Sequence, residues 1–101
     1  MQPLAADGRL EFRAPVAMKG KLLIIGGKGV DIAVTDLTIF GCSIIKPPVE
    51  LRKKQVVSIK LEYLDYVKGI VRWSSQDTAG IEFDRPLYAP VAEHLQKVYL
   101  R

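Results

Sequence analysis

Hydrophobic residues recur along most of this chain with a period of two, the repeat of a strand with one buried face. Val30, Ile32 and Val34 alternate with Asp31, Ala33 and Thr35, and Val57, Ile59, Leu61 and Tyr63 alternate with Ser58, Lys60 and Glu62. Val67, Gly69, Val71 and Trp73 share one face of a further segment, which predicts Trp73 as an inward, core residue. Strands are also expected over Val16 to Ile25, Cys42 to Ile45 and Ala79 to Phe83. Turn chemistry separates them: Gly26-Gly27-Lys28-Gly29, Lys46-Pro47-Pro48, Leu64-Asp65 and Ser74 to Thr78. Glycines supply the positive φ of hairpin turns, and two prolines cannot feed a central ladder. Six short strands with tight turns predict an all-β fold, a small six-stranded antiparallel barrel.

The period changes at the C-terminus. Pro90 suits a first helical turn, and Val91, Leu95 and Val98 follow at i, i+4 and i+7, with Ala92 and Tyr99 widening the stripe. An amphipathic helix from Pro90 to about Leu100 is expected to pack over one mouth of the barrel. Met1 to Gly8 carries no pattern and is expected to be mobile. The layout is then one domain over 1–101: a flexible arm at 1–15, a barrel at 16–83 and a C-terminal helical segment at 87–100.

A chain of 101 residues has room for one core, and 49% hydrophobic with 26% charged residues is the balance of a folded globular domain. The longest apolar run, Leu22 to Ile25, is far short of a membrane span, and no signal-peptide layout is visible, so a cytoplasmic location without membrane insertion is expected. Cys42 is the only cysteine, which excludes an intrachain disulfide and predicts a buried packing residue. A net charge of +4 favours an anionic partner, whether phosphorylated ligand, nucleic acid or acidic protein face, without choosing among them.

Two short polar signals carry the candidate chemistry. In Arg9-Leu-Glu-Phe-Arg13 the arginines stand four apart, which in an extended segment puts both on one side, about 13 Å from each other. A guanidinium can stack on a purine and pair bidentately with phosphate or a guanine edge. In Asp36-Leu-Thr-Ile-Phe-Gly41, Asp36 offers a carboxylate for N–H donors, Thr38 a hydroxyl, and Gly41 a backbone open to close approach or positive φ. The alternative for this stretch is purely structural, a strand-ending Asx-type turn. Gly41 is structural on either reading.

These two signals, followed by Gly69-Ile-Val-Arg-Trp73 and Gly80-Ile-Glu-Phe83, occur in an order and spacing that resembles the PilZ domain over nearly the whole chain. The resemblance implies binding of the bacterial second messenger cyclic di-GMP, with Arg9 and Arg13 as a clamp and Asp36, Thr38 and Gly41 as the facing surface. It implies no cofactor. Three positions depart from the family pattern: Thr38 where serine is usual, Gly8 where many members carry a further arginine, and Phe40 where a small residue is common. Phe40 is expected in the core or against a partner.

No catalytic constellation is apparent. His94, the single histidine, falls on the polar side of the helix, and Asp77, Glu82 and Asp84 have neither paired-acid nor metal-ligand spacing. The expected function is therefore a receptor or adaptor whose arm closes on cyclic di-GMP and which signals through an effector protein, such as motility, pilus or exopolysaccharide machinery. The alternative is a PilZ-like adaptor acting only by protein contacts. Single-stranded nucleic acid binding ranks below both, because Phe12, Phe40, Tyr63, Tyr66 and Trp73 form no aromatic series along a groove.

Overall fold

Each alternating segment forms a strand, and the strands close on themselves. The computed structural model describes residues 14–24 and 26–101. The elements are β1 (Ala14–Ile24), β2 (Gly29–Leu37), β3 (Gly41–Ile45), β4 (Val56–Leu61), β5 (Val67–Ser74), β6 (Thr78–Phe83) and α1 (Ala89–Val98). Two three-stranded meanders, β1 to β3 and β4 to β6, join through β3–β6 and β1–β4 pairing, so the barrel runs β1-β2-β3-β6-β5-β4 with every pair antiparallel. Among the described residues no strand is left with an open edge.

The inward positions match the alternation in the sequence. Leu22, Val34, Leu37, Ile44, Val57, Ile59, Leu61, Val71 and Ala79 are almost completely buried, with Ile81 and Phe83 beside them. Burying a side chain of this size contributes roughly 1.5–3 kcal/mol. Leu51, in the connection that follows the two prolines, is buried at the end of the barrel where β3 stops and β4 starts. The helix lies at the other mouth. Ala92 and Leu95 are its buried residues, the Gln96 side chain donates to the Leu37 carbonyl at 2.8 Å, and Val91 and Tyr99 pack against the core. After the helix the chain bridges back to the start of β1: Val16 pairs with Leu100, the Ala17 amide donates to the Tyr99 carbonyl (2.8 Å), and the Arg101 amide to that of Pro15 (3.2 Å).

The structure departs from the alternation at several places. β1 takes in Ala14 and Pro15, and β2 continues to Leu37, so Asp36 sits within a strand. Among the turn glycines only Gly26 has positive φ. β4 stops at Leu61, and Tyr63 is 84% exposed at φ 66° in the turn that the Leu64 amide closes on Leu61. Val98 is exposed: the helix ends there and Tyr99 takes over the contact with the barrel. Trp73 is the largest correction. Val71 lies opposite Ile81 but Trp73 lies opposite Gly80, so one extra residue on β5 reverses the alternation and turns the indole outward.

Candidate ligand site

The orientation of Asp36 follows from its neighbours. Leu37 and Cys42 face each other across β2 and β3 and are both buried, so the adjacent pair, Asp36 opposite Ser43, faces outward. A register shift between Val34 and Asp36 marks a bulge at Thr35, whose hydroxyl donates to the Ser43 carbonyl at 3.4 Å. The outer row extends across five strands: Pro15 opposite Asp36, Asp36 opposite Ser43, Ser43 opposite Gly80, and Gly80 opposite Trp73. Four strand spacings make this row about 19 Å wide.

Trp73 forms the far wall of the row. A Cβ added at Gly80 would collide with the indole Nε1 and Cε2, so the ring lies flat over a position without a side chain, 39% exposed. Below it, Arg72 Nε stands 3.5 Å from Glu82 Oε2. The row thus has a half-buried carboxylate towards one end, small buried residues, Ser43 and Gly80, in the middle, and a partly exposed aromatic plane at the other.

Thr38 and Gly41 play a different part. The Thr38 hydroxyl accepts from the amides of Phe40 (2.9 Å) and Gly41 (3.1 Å), and the Thr38 amide donates to the Gly41 carbonyl at 2.9 Å. Both lone pairs of the hydroxyl are taken up by a turn centred on residues 38–41, and Thr38 is buried. This is the Ser/Thr counterpart of the Asx turn that the sequence offered as its structural alternative. Gly41 is required for space: a Cβ there would strike the Ile81 carbonyl oxygen, while its φ is not in the left-handed region. The turn also holds the end of β6 and the chain after it, since the Phe83 amide donates to the Phe40 carbonyl (2.7 Å) and the Leu87 amide to that of Ile39 (2.8 Å). Phe40 itself is half-buried.

Cys42, directly behind Asp36, is buried as expected. Burial, and then the Asp36 charge, push its thiol well above the ordinary range, which keeps it protonated and inert. Among the described residues no three His, Cys, Asp or Glu side chains converge to hold a metal, and no helix is long and apolar enough to cross a membrane.

Of the residues singled out by sequence, Asp36, Thr38 and Gly41 come together at one end of the barrel, with Asp36 on the outer wall and the other two building the turn beside it. Arg9 and Arg13 lie outside the described residues. Sequence reasoning missed Trp73 as a surface residue; the Gly at position 80 was its one trace, readable only with the register known.

Among solved structures, the PilZ domain of YcgR from Escherichia coli, solved with c-di-GMP, superposes with a TM-score of 0.65 at 12% identity, covering 88% of this chain and 86% of that one. The fold is that of a PilZ domain. The Bacillus subtilis inhibitor of motility MotI/DgrA gives the same TM-score at 7% identity over 88% of this chain, which spans 47% of the MotI/DgrA chain. No family model and no curated protein sequence matches. At 7–12% identity the likeness is one of fold alone.

Proposed function

We propose that this protein is a cyclic di-GMP receptor that binds the ligand on the outer row running from Asp36 to Trp73 and passes the signal to an effector protein. The observation that carries the reading is the pairing of Pro15 with Asp36: it leads the chain that bears Arg9 and Arg13 into the barrel directly beside the carboxylate. On this reading the N-terminal segment closes over the row, its two guanidinium groups meeting the phosphates and purine faces, while Asp36 accepts from guanine N–H donors. Trp73 supplies a flat, partly exposed surface at the far side. Thr38 and Gly41 act through the turn they build. The presence of c-di-GMP in the structure of the YcgR PilZ domain supports the choice of ligand.

A second reading, an adaptor that works only by protein contacts, draws on one observation: the Thr38 hydroxyl is already engaged by two amides. Calorimetry with cyclic di-GMP, with cyclic di-AMP and GTP as controls, separates the two. The receptor reading expects saturable, guanine-selective heat that weakens ten- to a hundred-fold in Asp36→Ala, Arg9→Ala and Arg13→Ala, the loss of a charge-assisted contact of about 1.5–3 kcal/mol. A folded protein giving no heat with cyclic di-GMP would leave the adaptor reading in its place.

A further inference from the structure

Further around the wall, the outer face of β1 and β4 carries a like-charge pair. Lys21 lies directly opposite Lys60 across the two strands, an arrangement that costs stability unless something neutralises it. Asp31 does so for Lys21 at 3.2 Å. Lys19 and Lys60 make no ion pair among the described residues, and both border, with Lys21, Gly20 and Tyr63, an open depression of about 270 Å³. Asp31 and Glu62 also border it, so three cations face two carboxylates and the excess is positive. Glu62 is partly occupied by the Tyr99 hydroxyl at 3.5 Å.

The second observation is Tyr63. Its φ of 66° is a conformation that glycine or asparagine adopts at little cost and a bulky side chain adopts with strain. The ring is 84% exposed, so little packing offsets that strain; only its polar tip meets the chain, at the Tyr99 hydroxyl, and both ring faces stay open. A strained, exposed aromatic at the rim of a lysine-lined hollow matches the demands of a ligand with one anionic and one flat part.

We propose that this hollow is a second ligand site, for a nucleoside monophosphate: Lys19 and Lys60 hold the phosphate and Tyr63 stacks on the base. The volume lies just below the usual range for small-molecule pockets and suits a mononucleotide laid against an open wall. The site is separate from the Asp36 row and stands whether or not that row binds cyclic di-GMP.

The test is an amide-resolved NMR titration of the full chain with guanosine monophosphate, adenosine monophosphate, inorganic phosphate and phosphatidylglycerol vesicles. Both nucleotides should shift residues 19–21 and 60–63, and inorganic phosphate should shift the lysine strands more weakly. Lys60→Gln and Lys19→Gln should each weaken nucleotide binding about tenfold. Tyr63→Asn, which retains the turn, should reduce nucleotide affinity to that of phosphate, and Asp36→Ala should leave it unchanged. The proposal is overturned by absent shifts, by wild-type affinity in the lysine variants or in Tyr63→Asn, by loss in Asp36→Ala, or by a response to vesicles alone, which would mark a membrane-facing surface instead.

Discussion

Trp73 and Gly80 act as a unit: the indole rests where any other residue would place a Cβ. Gly80→Ala should therefore displace the ring into water at a cost of about 1–3 kcal/mol, the usual penalty for overpacking a filled site. Trp73 is the only tryptophan, so its emission reports the change without interference and should shift to longer wavelength. Unchanged emission would mean that the ring is not seated on Gly80. Thr38 illustrates the opposite relation between residue type and role. Its hydroxyl looked like a ligand contact in the sequence, yet two amides occupy it, and its contribution is to hold residues 38–41 in the shape that the chain after β6 docks onto.

At the scale of elements, the helix is attached through few side chains, which makes it the sensitive joint of the fold. Leu95 is 2% exposed within the core cluster, and Leu95→Ala should cost about 2–5 kcal/mol, read as a lowered denaturant midpoint at unchanged slope. A loss under about 1 kcal/mol would show that the helix is peripheral to the cooperative unit. The six strands and the helix were legible in the sequence because burial on one face writes itself into the alternation, as at Val30-Ile32-Val34 and Val57-Ile59-Leu61. What the alternation cannot encode is an inserted residue: the β5 bulge changes parity without changing composition, so Trp73 read as core. Tyr63 was misread for a related reason, since tyrosine carries no signature of left-handed backbone. Asp36, Thr38 and Gly41 were legible as candidate residue types, and their division into wall and scaffold emerged only from the strand register at Asp36, the amides that Thr38 meets and the space at Gly41.

For the whole molecule, closure of the barrel gives β3 a paired neighbour on each side, with Cys42 buried between them. Pairing on both sides should keep local fraying from exposing this thiol, so its modification should follow global unfolding. Reaction with a thiol reagent under native conditions should be slower than in denaturant by a factor on the order of 10³ or more, the ratio of folded to unfolded molecules. Rapid native labelling would mean that β3 opens independently. Among the described residues, closure also leaves no strand edge to which a partner could add a strand. Tyr99 gives the outer wall an internal connection. Its carbonyl is held by Ala17, near the point where β1 meets Asp36, and its hydroxyl, pushed up to about 12 by partial burial, the Tyr63 hydroxyl and the Glu62 carboxylate, reaches the rim of the lysine hollow. One residue is therefore a shared bearing for two separate faces, and thermodynamic reciprocity governs whatever moves it: if occupancy of one face tilts Tyr99 and changes affinity at the other, the reverse change has the same factor.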